Sequence, residues 1–124
     1  MKNYLTKLYV INFTLLITHE IDSAFWHEWN LFGIPGGIQV FLILNLILIA
    51  VFLFGLEKVI KWERGAKTFS YLLAASGIFA FSIHMLFIIL GNPEFRLPVS
   101  IIILLLILIV SVIQILAVYR SNYP

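Results

Sequence analysis

The stretch Ile101-Ile102-Ile103-Leu104-Leu105-Leu106-Ile107-Leu108-Ile109-Val110 is an unbroken aliphatic run within the apolar segment Val99 to Val118. Pro98 stands just before it, where a first-turn proline is tolerated because its missing N–H would have no helical partner anyway. Isoleucine at this density favours strands in water. In hydrocarbon the preference reverses, because an open strand leaves backbone groups unpaired and a helix pairs them internally. About 20 helical residues cross a bilayer core, and this segment is that long. The solvent therefore decides its fold.

Composition names the solvent. The chain has 124 residues, is 62% hydrophobic and only 11% charged, and has a mean hydropathy of +1.07. A soluble domain of this size leaves too much surface in water to hide so much apolar area. An integral membrane protein follows. Cysteine is absent, which excludes disulfides, thiolate metal sites and thiol nucleophiles. The basic residues form no patch with interleaved aromatics, so nucleic acid is not an expected partner.

Two other segments resemble the first. Ile38 to Leu56 is interrupted only by Gln39, Asn45 and Gly55, and Phe69 to Leu90 carries the small residues Ala74, Ala75, Ser76, Gly77 and Ala80. Gly33-Ile34-Pro35-Gly36-Gly37 and Gly91-Asn92-Pro93 punctuate the chain as turns. The N-terminal segment is harder, because Leu8 to Thr18 is short enough to be a signal-peptide core. No small-residue cleavage site follows it, and aromatics continue to Trp29, so a single helix over 4–29 is the preferred reading. The expected fold is an all-α, integral membrane four-helix (tetraspan) bundle. One transmembrane domain covers 1–124, with spans at about 4–29, 36–58, 67–90 and 97–119.

Charge sets the expected direction. Lys2, Lys7, Lys58, Lys61, Arg64, Lys67 and Arg120 fall on one side of four spans, and only Arg96 falls on the other. The positive-inside rule puts both termini in the cytoplasm (N-in, C-in), in a multi-pass protein of the inner, cytoplasmic membrane.

The first segment ends in His19-Glu20-Ile21-Asp22-Ser23-Ala24-Phe25-Trp26-His27-Glu28-Trp29. Ionisable groups in hydrocarbon cost kilocalories and mark functional sites by default. At 100° and 1.5 Å per residue, Asn12, His19, Asp22, Ser23 and Trp26 share one stripe, with Glu20 to one side and Glu28 pointing away toward the headgroups. Asp22 lies about 10 Å and His19 about 15 Å from the outer end; His84 lies about 9 Å and Asn45 about 13–15 Å from the same side. Gln39 is near the outer start of its segment. His19, Asp22, Ser23, His84, Asn45 and Gln39 can therefore share one layer. A second stripe, Ser70, Leu73, Gly77, Ala80 and His84, offers small residues for close helix approach. Ser100, Ser111 and Gln114 share a face of the last segment.

Three functional readings fit these residues. Imidazole and carboxylate suit a divalent metal such as zinc or iron, with His19, Asp22 and His84 as ligands and Glu20 or Asp22 as catalytic acid or base. The spacing is not that of the His-Glu-x-x-His zinc motif, and about 12 Å of helix separates His27 from His19, too far to share one ion. A hydrophobic small molecule would be the substrate. The same groups without a metal form a proton relay or part of an oligomeric transporter or channel. As plain helix-bridging hydrogen bonds, they describe a scaffold or partner subunit. Ser23 with His27 hints at a hydrolase but lacks an oxyanion or elbow signature. His27, Glu28 and Trp29 read as an interfacial rim, with Ser23, His27, Asn45 and Gln39 as polar lining.

The run His19-Glu20-Ile21-Asp22-Ser23-Ala24 with His27-Glu28-Trp29 resembles uncharacterised bacterial small tetraspan membrane proteins that carry a His-Glu-aliphatic-Asp-Ala motif and a nearby His-Glu-Trp in the first helix. Here Ser23 intervenes before Ala24. The resemblance implies a bacterial origin and supplies no activity.

Overall fold

The computed structural model describes residues 1–124. It contains five helices and no strand: α1 Lys2–Phe25, α2 Glu28–Leu31, α3 Gly37–Lys61, α4 Ala66–Ile89 and α5 Pro98–Tyr119. α3, α4 and α5 are long and apolar enough to cross a membrane, which makes this a multi-pass membrane protein. The sequence led us to expect four such helices. α1 is as long as the others at 24 residues, but Lys2, Lys7, Glu20 and Asp22 interrupt its apolar character.

The single helix expected over 4–29 is interrupted. α1 ends at Phe25, and His27 takes a left-handed backbone with φ of 54°. A non-glycine residue in that region costs energy and persists only where its surroundings hold it. Here His27 stacks on Trp29, with ring centroids 4.9 Å apart, while Trp26 donates from Nε1 to Asp22 at 3.0 Å. The bend turns Glu28 and Trp29 inward, and both are buried. On a straight helix Glu28 would have pointed away.

α5 packs against α4 and α1, and α3 packs against the same two helices, so α3 and α5 take opposite corners with α1 and α4 between them. Large apolar side chains cover the outside, including Leu42, Leu46, Ile47, Leu53, Phe79, Ile102 and Ile109. Asn12, His19, Ser70, His84, Ser111 and Gln114 lie buried within. A polar interior inside an apolar surface is the arrangement lipid demands, because exposed polar groups would lose their partners there.

The interior changes character along the bundle. Near the termini, Leu5, Tyr9, Phe13, Phe52, Val59, Leu73 and Val118 form an apolar core. Tyr9 donates to the Phe52 carbonyl at 2.7 Å. Tyr123 folds back onto this end, stacked on Trp62 at 4.5 Å, and Lys67 N–H donates to the Pro124 carbonyl. Above it sits a polar knot in which Asn12 Nδ2 donates to Gln114 Oε1 at 2.7 Å and to Ser111 Oγ at 3.1 Å, tying α1 to α5. The two stripes read from the sequence, on α4 and α5, are buried along these contacts.

Gly77 sets how closely α4 and α5 approach. A Cβ there would collide with Ser111 Oγ and Ile107 Cγ2. Gly77→Val should therefore lower the thermal unfolding midpoint in detergent, by an overpacking cost of about 1–3 kcal/mol. Gly77→Ala should fall between it and wild type. An unchanged midpoint in Gly77→Val would show that the close approach is dispensable. Asn12→Leu, which abolishes the α1–α5 knot and strands Gln114, should cost about 1–2 kcal/mol in the same assay.

Candidate metal centre

His19 from α1, Glu28 from α2 and His84 from α4 converge beyond the polar knot, away from the termini. All three are buried, and one ligand atom from each lies within 4.8 Å of the others. The imidazole rings of His19 and His84 meet edge to face with centroids 4.5 Å apart. α1 delivers His19 because its buried stripe runs from Leu5 through Leu16 to His19 and Ser23. α4 delivers His84 at the end of its small-residue stripe. Glu28 arrives only through the bend at His27.

Hydrogen bonding assigns the nitrogens. His84 Nδ1 lies 2.6 Å from the Ala80 carbonyl oxygen, which can only accept, so Nδ1 carries a proton. Nε2 then faces Glu28 Oε1 at 3.1 Å, but without the alignment of a hydrogen bond. Adjacent ligands of one metal, each about 2.0–2.2 Å from it, lie about 3.0 Å apart at right angles and about 3.4 Å apart in a tetrahedron. The Nε2–Oε1 separation falls in that span. An Nδ1–H held by a backbone carbonyl, with Nε2 presented inward, is also how metal-binding histidines are commonly oriented. At His19, Ser23 Oγ spends its proton on the His19 carbonyl at 2.9 Å and lies 3.4 Å from His19 Nε2. His19 Nδ1 has no partner at all. The three ligand atoms are close enough that the group could hold a metal ion.

Phe95 closes one side of the centre. Its ring centroid lies 4.4 Å from that of His84, 5.6 Å from that of His19 and 6.2 Å from that of Trp26. It is 1% exposed and adopts φ of 65°, a second strained non-glycine residue beside the same histidines. On the other side a cleft of about 570 Å³ runs between α1, α3 and α4. Its polar lining includes His19, Glu20, Glu28, Asn45 and His84, and the rest is mainly apolar.

Glu20 and Asn45 line the cleft. Ser23 is buried beside His19. Asp22 lies outside the cleft, bonded to Trp26 and facing a separate shallow depression next to Pro98 and Ser100. Gln39 is exposed at the start of α3, and His27 is exposed on its stack with Trp29. Sequence reasoning placed Glu28 on the rim and gave Phe95 no role. Neither the bend nor the inward loop carries a strong local signal; a lone aromatic among Asn92, Pro93, Glu94 and Arg96 was the one available hint.

Phe95→Gly deletes the ring while suiting the left-handed backbone. The expected result is a folded protein in which diethyl pyrocarbonate modifies His84 several-fold faster, read by mass spectrometry. An unchanged rate would show that Phe95 does not shield the centre.

Among curated proteins and solved structures, none matches this chain. A family model does match residues 5–121, nearly the whole chain, and the protein belongs to that family, described as Family of unknown function (DUF6713).

Proposed function

We propose that this protein is a four-span membrane protein holding one divalent metal, zinc or iron, on His19, Glu28 and His84, and using it on a hydrophobic molecule in the membrane. The observation that carries the reading is the buried pair His84 Nε2 and Glu28 Oε1, 3.1 Å apart yet unaligned, with His84 Nδ1 engaged elsewhere and an unpartnered His19 nitrogen alongside. Two imidazoles and one carboxylate are a donor set suited to catalytic zinc and to non-haem iron, with positions left open for substrate or water. A bound metal would supply Lewis acidity or an activated water. Glu20, on the cleft wall, is the available acid or base. Asp22, a ligand in the sequence-based reading, is replaced by Glu28 in this proposal because its carboxylate is committed to Trp26.

α1 acts as the fourth span in this proposal. It lies against α3, α4 and α5; His19 and Glu20 face protein or the cleft, and Asp22, outside the cleft, accepts from Trp26 Nε1. Both termini then share the lysine-rich side, which is cytoplasmic by the positive-inside rule. A periplasmic-type reporter fused after Pro124 should be inactive, and the same reporter placed in the turn at Asn92 should be active. The reverse pattern would overturn the orientation.

The metal is tested by elemental analysis of detergent-purified protein. Wild type should carry about one metal ion per chain, and His19→Ala, Glu28→Ala and His84→Ala should each lose it, while Asp22→Ala should retain it. Imidazole must be neutral to ligate, so lowering the pH should release the metal and raising it should restore binding. Wild type that holds no metal even after reloading would reject the centre. It would favour a second reading, in which the His/carboxylate cluster without a metal serves as a proton relay or as part of an oligomeric transport element. Asp22→Ala losing metal while Glu28→Ala keeps it would restore the sequence-based ligand set.

A further inference from the structure

The cleft beside the centre has a chemical bias that narrows its ligand. Leu44, Leu72, Ala75 and Phe79 form its outer wall, and all four are exposed on the surface of the bundle between α3 and α4. That surface faces hydrocarbon in a membrane, so the mouth opens sideways into lipid. The inner end is polar, with the Glu20 and Glu28 carboxylates, the two imidazoles and Asn45. Asn45 Nδ2 donates to the Phe41 carbonyl at 3.0 Å, which leaves its Oδ1, buried and without a partner, as an acceptor. No lysine or arginine lines the cleft. The nearest cation in sequence to this end, Arg96, caps the carbonyls of Ile88 and Asn92 at 2.7 Å each.

From this we infer that the cleft takes, from the lipid phase, a chain-bearing amphiphile whose uncharged head donates hydrogen bonds, such as a long-chain alcohol. Two carboxylates and an orphaned amide oxygen reward a donor. A bound divalent ion would have its charge balanced by the Glu20 and Glu28 carboxylates, so a phosphate or carboxylate head would find no excess positive charge, and no guanidinium or ammonium lines the cleft to supply it, whereas anionic lipid sites are built from such cations. The volume lies within the range of small-molecule pockets, about 300–1,000 Å³. The largely apolar wall accepts the chain by burial, and the polar end sets the head beside His84 and Glu28. This substrate class rests on the proposed function of the same site, but cleft binding is measurable without the metal.

The test uses full-length protein in lipid nanodiscs and two photoreactive probes of equal length: a diazirine-bearing hexadecanol and a diazirine-bearing hexadecanoic acid. The alcohol probe should label peptides containing Leu44 and Phe79, and excess unlabelled hexadecanol should compete while hexadecanoic acid does not. Ala75→Trp, which fills the mouth from a lipid-facing position, should reduce this labelling at least several-fold. Asn45→Leu should narrow the preference for alcohol over acid. Metal content measured on the same samples separates the two claims: both variants should carry as much metal as wild type. Equal labelling by both probes, or labelling indifferent to Ala75→Trp in a variant that elutes as folded protein, would overturn the amphiphile assignment whatever the metal content. Selective labelling in protein devoid of metal would uphold it and reject only the metal centre.

Discussion

The cost of placing ionisable groups in hydrocarbon governs this molecule. An imidazole or carboxylate facing lipid loses its water and gains nothing in return, so such groups must find one another or a cavity. Here His19, Glu28 and His84 find one another, Glu20 and Asn45 find the cleft, and Asn12 finds Ser111 and Gln114. Each meeting joins helices far apart in sequence. The polar residues therefore act as the register marks of the bundle, because sliding a helix by one turn would break these pairings.

Apolar contacts could not set that register by themselves. Lipid tails are as apolar as leucine, so helices in a membrane gain little from hiding leucine against leucine. Close packing at small residues does more. Gly77 admits Ser111 and Ile107, and Gly55 admits the Tyr9 hydroxyl and the Phe69 ring. These approaches set the spacing of α4 from α5 and of α3 from α1 and α4, while the polar knot ties α1 to α5. The apolar core near the termini and the aromatic cover of Phe95 then enclose the centre from two directions, leaving the cleft between α1, α3 and α4 as its opening.

Strain is concentrated at this end of the protein. His27 and Phe95 are two of the three non-glycine residues with positive φ, and each belongs to a segment that delivers a side chain to the centre. His27 swings Glu28 inward, and Phe95 lays its own ring over the histidines. Backbone strain of this kind persists only where surrounding contacts over-determine it. The His27–Trp29 stack and the edge-to-face Phe95–His84 pair supply those contacts.

Much was legible in the residues alone. Aliphatic runs such as Ile101 to Val110 and the overall hydropathy determined helices in a membrane, because only helices and closed barrels satisfy the backbone there and barrel strands alternate apolar with polar residues, which these runs do not. Helical periodicity also identified the buried stripes of α4 and α5 and the inward side of His19, since rise and angle per residue are fixed quantities. Those rules hold only while a helix stays straight. They put Asp22 on the His19 stripe and Glu28 on the far side of the helix, whereas the turn at His27 brings Glu28 beside His84 and Asp22 bonds to Trp26. Tertiary structure alone decided that placement, the covering by Phe95 and the opening of the cleft between α3 and α4. The physical reason is that each depends on aromatic packing between segments, which offsets a strained backbone by contacts with residues distant in the chain.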